Sequence, residues 1–164
     1  MSWQFRNRSG ARRACGCLAL AALGAFLCPA AHAVAVACSV SASAVAFGTY
    51  TPLTIAASTG TITITCLSVV GPSPATITLS PGASSTFTAR TMSSGGNTLS
   101  YNLYLDAAHT QVWGDGTGVS MADNLNLTQG LVAPTTTATV FGLVPSQDPA
   151  PGAYTDTITV TVSY

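Results

Sequence analysis

Gly152-Ala153-Tyr154-Thr155-Asp156-Thr157-Ile158-Thr159-Val160-Thr161-Val162-Ser163-Tyr164 reads as one long strand. From Tyr154 onward the even positions are apolar except Asp156, and the odd positions are Thr or Ser. That is the period-two signature of a strand with one face buried. The sequence ends while this pattern is still running, so the strand is expected to border a sheet. Its unpaired backbone groups would then be able to recruit another chain.

The same texture recurs upstream. Thr-, Val-, Ile- and Leu-rich runs at 35–42, 44–47, 60–66, 75–80, 98–106, 135–143 and 153–164 predict seven strands. Gly71-Pro72-Ser73-Pro74, Pro81-Gly82, Ser94-Gly95-Gly96-Asn97 and Gly114-Asp115-Gly116 punctuate them as turns. Residues 114–130 have weak periodicity and predict an irregular connection. No segment carries sustained helical periodicity, and there is no internal repeat. The expected class is all-β, an immunoglobulin-like sandwich.

The N-terminal residues have a different character. Arg6, Arg8, Arg12 and Arg13 precede an apolar run from Cys15 to Cys28, and Ala31-His32-Ala33 offers small residues for a peptidase. This predicts a secretory signal peptide over 1–33 and a single domain over 34–164. The apolar run is shorter than the roughly 18 residues read as a membrane-spanning helix.

Removing the signal changes the charge. The chain has no Lys and no Glu, and the predicted domain keeps Arg90 against Asp106, Asp115, Asp123, Asp148 and Asp156. One cation cannot neutralise a row of phosphates, which argues against nucleic acid as a partner. Anionic membrane surfaces are excluded on the same ground. Arg90 is expected to have a structural role, with an Asp as ready ion-pair partner.

Two cysteines remain after the signal, Cys38 and Cys66, an even number suited to an oxidising compartment. A Cys38–Cys66 disulfide is expected, worth about 3 to 4 kcal/mol on the chain-entropy argument. The competing reading is lipidation of Cys38 after Ala35-Val36-Ala37. It lacks the usual Leu three residues earlier and would strand Cys66 as a free thiol.

No catalytic constellation is present in the sequence. His109 beside Thr110 and Gln111 reads as a surface turn residue, with no Ser and acid patterned around it. Asp115 and Asp123 match no calcium-loop spacing and read as turn aspartates. The sequon Asn126-Leu127-Thr128 is common by chance. No metal, cofactor or enzymatic activity is expected.

Several motifs, in this order, resemble the spore coat protein U domain family, the subunit type of archaic chaperone-usher pili. They are Cys38-Ser39-Val40-Ser41-Ala42, Phe47-Gly48-Thr49-Tyr50-Thr51-Pro52, Ile62-Thr63-Ile64-Thr65-Cys66, Leu99-Ser100-Tyr101-Asn102-Leu103-Tyr104, Trp113-Gly114-Asp115-Gly116, Val140-Phe141-Gly142 and residues 152–160. The resemblance implies an incomplete sandwich lacking its last strand, with an apolar groove beside the C-terminal strand. It implies a periplasmic pilus chaperone that fills the groove first, an outer-membrane usher, and a neighbouring pilin subunit that donates the replacing strand. Export through the periplasm to a pilus on the surface of a Gram-negative bacterium follows, with cell adhesion and biofilm formation as the setting. Carried onto this chain, Tyr154, Ile158, Val160, Val162 and Tyr164 would form the acceptor groove and chaperone interface, the chaperone anchoring the Tyr164 carboxylate.

One departure stands out. Cleavage after Ala33 leaves only Val34, Ala35, Val36 and Ala37 before Cys38, a reach of at most about 14 Å. Polymerising pilins carry a donor arm of roughly a dozen residues there. The subunit should accept a strand without offering one, as a tip or minor subunit does. Its contact surface would lie on loops far from the groove, with Val69, Val70, Leu131 and Val132 as candidates, although the favoured reading of these residues is that they end strands and face the core. The alternative function is a self-complete secreted coat or structural protein, whose final strand is paired by the chain itself.

Overall fold

A computed structural model describes residues 1–8 and 37–164. The expected signal-peptide cleavage site lies outside the described residues. Nine strands are present, with no helix among the described residues. They are β1 (Ser2–Arg8), β2 (Cys38–Ala42), β3 (Ala56–Cys66), β4 (Pro74–Leu79), β5 (Arg90–Ser94), β6 (Asn97–Tyr104), β7 (Asp123–Asn126), β8 (Thr135–Val144) and β9 (Thr157–Ser163).

The strands form two sheets, ordered β1-β9-β4-β7 and β2-β3-β8-β6-β5. Every pairing is antiparallel except β1 with β9. The sheets face each other through alternating residues, as the period-two reading requires. One sheet contributes Ile77, Leu79, Ile158, Val160 and Val162, the other Ile62, Ile64, Leu99, Leu103 and Val140, all fully buried. This is the predicted all-β, immunoglobulin-like sandwich.

Three departures from the sequence reading have physical causes. Residues 44–47 form no strand. They cross the inner face of the second sheet, with Val45 buried in the core and the Phe47 ring edge-on to Tyr101 at 6.2 Å. Two glycines admit them. A Cβ at position 142 would stand 2.6 Å from Val45 Cγ1 and 2.7 Å from Phe47 Cζ, and one at position 60 would stand 2.9 Å from Val45 Cγ2.

The second departure is β5, which the sequence concealed because one of its inward positions is a charge. Arg90 and Met92 both point inward, so the alternation reads polar where it should read apolar. The third is β7, inside the stretch expected to be irregular. Its composition is polar because it is an edge strand, held by pairing with β4 and by Thr76 Oγ1 donating to Asn124 Oδ1 at 2.9 Å.

Cys38 and Cys66 are directly opposite in the β2–β3 ladder and joined as a disulfide. With its sulfur in that bridge, Cys38 has none free for a lipid thioether. The disulfide ties the start of β2 to the end of β3, and the same end of the sandwich holds Ser163 and Tyr164.

Candidate functional site: the edge between β9 and β2

β9 pairs with β4 on one side, Val160 opposite Leu79 and Val162 opposite Ile77. Its other side faces an opening between the sheets whose far wall is β2. Residues 37–164 contribute no strand to that position. It is taken by β1, which runs parallel to β9 over seven residues from Ser2 opposite Thr157 to Arg8 opposite Ser163. Residues 37–164 supply no strand there, but the last-strand position that was expected to be open is filled in the structure by the chain's own residues 2–8.

The register puts Trp3, Phe5 and Asn7 level with Ile158, Val160 and Val162, so these side chains share the inward face. Met1 and Trp3 pack against the core, but Phe5 remains 44% exposed. β1 thus supplies a full backbone ladder with incomplete apolar filling.

Polar contacts tie it to both sheets. Ser2 N donates to Asp156 O at 2.9 Å, and the Ser2 and Thr157 hydroxyls meet at 2.6 Å. Trp3 Nε1 donates to Ser43 O at 3.0 Å and Asn7 Nδ2 to Cys38 O at 3.0 Å, both on the opposite sheet's side of the opening.

Tyr164 was expected to act through its carboxylate. Its hydroxyl is what the structure places at the site, accepting from Cys38 N at 3.2 Å and from Asn7 Nδ2 at 2.5 Å. Tyr154 stands at the opposite end of the opening. Its hydroxyl donates to Ala150 O at 2.6 Å and its ring meets Tyr50 edge-on. With Met1, Val45, Phe47, Met92 and Leu99 it lines a cavity of about 180 Å³.

Asp156, the inward polar exception in the final strand, is buried where β9 begins. It accepts from the Tyr101 hydroxyl at 2.6 Å, Ala83 N at 2.9 Å and Thr157 N at 2.7 Å. Burial first, and the Asp156 contact second, push the Tyr101 phenol well above its ordinary value.

Arg90 is fully buried beside this group and meets no carboxylate directly. Its guanidinium donates twice to Ser80 O, at 3.2 and 3.0 Å, and to Trp113 O at 2.7 Å and Asn102 Oδ1 at 2.6 Å. It also lies over the Phe87 ring at 5.3 Å. Burial lowers its pKa to about 10, partly offset by Tyr101, Asp156 and Tyr104. The expected ion pair with an Asp is not formed: Asp156 is bonded to the Tyr101 hydroxyl instead and acts on Arg90 only through its charge.

Residues 25–161 match the family model described as the Spore Coat Protein U domain. The chain belongs to that family. Among solved structures, this Spore Coat Protein U domain chain is similar in fold to a crystal structure of a chaperone–tip adhesion subunit pre-assembly complex from the archaic chaperone-usher Csu pili of Acinetobacter baumannii. The TM-score is 0.54 at 20% identity, covering 79% of this chain and 41% of that one. This chain therefore spans well under half the length of its structural neighbour. No curated protein matches it.

The loop candidates divide. Val69 is 2% exposed and part of the core, so it cannot be a contact residue. Val70, Leu131 and Val132 are 79%, 78% and 88% exposed, as is most of Leu67. Two main-chain bonds between Val69 and Gly130, with Ala133 N to Leu67 O, draw both loops into one apolar surface. That surface is not far from the groove. It adjoins Cys66 and Cys38 at the Tyr164 end, because Cys66 N bonds to Pro134 O and Leu67 N to Ala37 O.

Asp115 and His109 sit in turns as expected, Asp106 with the latter, whereas Asp123, expected in a turn, opens β7 opposite Ile77, where burial raises its pKa. Asp106 accepts from Thr110 and Gln111, which lowers its pKa, Gln111 N being the largest cause. Asp115 caps its own loop, held low chiefly by the Thr117 hydroxyl. His109 lies in a left-handed turn against Tyr104. Among the described residues, no group of three His, Cys, Asp or Glu could hold a metal.

Proposed function

We propose that this protein is a non-enzymatic subunit of a surface pilus, assembled by donor-strand complementation along the chaperone-usher route. Residues 1–33 act as the signal peptide, and cleavage after Ala33 removes β1 from the opening beside β9. A periplasmic chaperone strand then takes that place, followed by the strand of a neighbouring subunit delivered at the outer-membrane usher. Ile158, Val160 and Val162 form the floor of the groove and Tyr154 and Tyr164 its two ends.

The observation that carries this reading is that the β9 edge takes a whole parallel strand bridging both sheets, and that its occupant among the described residues lies in the predicted signal peptide. Family membership and the chaperone-bound fold neighbour support it. With four residues ahead of Cys38, the mature subunit accepts without donating, which suits a fibre tip or minor subunit. The exposed Leu67, Val70, Leu131 and Val132 surface would then contact the adhesion target.

A second reading is favoured by β1 itself. If residues 2–8 stay with the mature chain, the sandwich is closed by its own strand and the protein is a self-complete coat or structural protein. The N-terminal sequence and intact mass of the exported protein, without and with reductant, separate the two. A start at Val34 supports the acceptor subunit. Retention of residues 2–8 overturns it, and a start some ten residues before Val34 restores a donor arm and makes this a shaft subunit.

A further inference from the structure

Residues 14–164 contain one Arg, Arg90, and no Lys, so the Arg90–Thr91 bond is the one place there that a protease of trypsin specificity can cut. Such a protease takes the basic side chain into its own pocket and needs the flanking main chain extended and unpaired. The folded domain offers neither. The guanidinium is fully buried, donates to Ser80 O, Trp113 O and Asn102 Oδ1, and lies against the Phe87 ring. The main chain on both sides of the bond is paired in β5, Arg90 opposite Tyr101 and Thr91 opposite Ser100. Fraying of β5 alone does not present the site, because withdrawing the side chain leaves Ser80 O and Trp113 O without their side-chain donor inside the core. Exposure of this bond therefore belongs with the opening of the sandwich itself.

The position of the bond decides what a cut does. Cys38 and Cys66 both lie before it, so the disulfide does not span it. β2, β3 and β4 fall on one side and β6 to β9 on the other. The β3–β8, β4–β7 and β4–β9 ladders each join the two sides. Hydrolysis adds water across the bond and leaves a carboxylate on Arg90 and an amine on Thr91. The two pieces must then meet as separate molecules, and the effective concentration that a continuous chain supplies, on the order of millimolar, is lost.

We propose that the Arg90–Thr91 bond is a latent one-cut site: closed to trypsin-type proteases while the domain is folded, and the point at which a single cut divides it once it unfolds. The partner is an endoprotease specific for Arg or Lys, acting on a subunit that has opened or failed to fold. The outward positions of β3, β4 and β9 are mostly Thr and Ser, so no second basic site lies on these faces. Arg90 is thereby both a core residue and the mark by which loss of the core is read.

The test uses the full chain with Arg6, Arg8, Arg12 and Arg13 replaced by Gln, which leaves Arg90 as its one basic residue; Arg6 and Arg8 are exposed. Circular dichroism first shows that the variant is β-folded. It is then incubated with trypsin beside a synthetic peptide of residues 86–95 in the same buffer, and the product ending at Arg90 is followed by mass spectrometry. The folded chain should be cut more than about a thousandfold more slowly than the peptide, because cutting follows the small opened population. A rate within about tenfold of the peptide overturns the closed state. The chain is next cut to completion in urea and returned to buffer without reductant. Pieces 1–90 and 91–164 should elute separately on size exclusion. Co-elution as one β-folded species overturns the division by a single cut.

Discussion

Replacing Arg90 by Met tests the account of the buried polar group. The guanidinium is fully buried, and Met fills most of its stem, so the change isolates the hydrogen bonds. Four are lost: two to Ser80 O, one to Trp113 O and one to Asn102 Oδ1. Asn102 Oδ1 keeps Leu103 N as a donor at 2.9 Å, so two main-chain carbonyls lose their side-chain partner. Each buried carbonyl left unpaired costs roughly 1 to 3 kcal/mol. Against this stands the relief of no longer burying a cation, visible in the lowering of the Arg90 pKa to about 10. The balance is a loss of about 3 kcal/mol, a large share of a typical domain's stability. Denaturant titration of the full chain should show a lower midpoint with unchanged slope. Arg90→Lys should lose less, retaining the charge but not the fork. A loss below about 0.5 kcal/mol for Arg90→Met would refute the reasoning, because the carbonyls would then have been satisfied without the cation.

Other consequences follow from the same geometry. Tyr101 stays protonated in the folded state above its ordinary pKa of 10, so the native state holds the extra proton. Its contribution is complete below about pH 10 and falls as pH rises further, and Tyr101→Phe should flatten that alkaline loss in pH-dependent thermal melts. Replacing both Cys38 and Cys66 by Ala should cost about 3 to 4 kcal/mol for a separation of 28 residues, read by chemical denaturation; a loss under about 1 kcal/mol would mean the unfolded chain is not the state being constrained. Val70→Ser with Leu131→Ser should reduce retention on a hydrophobic surface while leaving the melting temperature within about 2 °C. Val69→Ala should do the reverse, costing stability by about 1 to 3 kcal/mol with retention unchanged.

Much of the sandwich was legible because burial on one face imposes a local period. The runs around Ile62, Ile77, Leu99, Val140 and Ile158 all became strands, with bounds shifted where pairing extended them: Ala56 to Thr59 are in β3 because β8 lies alongside, not because of their own pattern. β5 and β7 escaped because a buried Arg and a polar edge carry no apolar alternation. Of the candidate site, Ile158, Val160 and Val162 sit inward as their even numbering required. The Ser94-Gly95-Gly96-Asn97 turn was readable, yet the strand before it was not.

By itself the sequence determined the all-β class, the pairing of Cys38 with Cys66, and the side of the final strand that faces the core. Each of these depends on neighbours in sequence or on simple parity. Only the tertiary structure decided that Asp156 is anchored by Tyr101, that Val69 is core while Val70 is exposed, and that the apolar loops meet beside Tyr164. It also decided that Ser43 and Cys38 turn carbonyls toward the strand beside β9. Those facts depend on which residues distant in the chain become neighbours, and side-chain periodicity reports which face a residue occupies but not what stands opposite it.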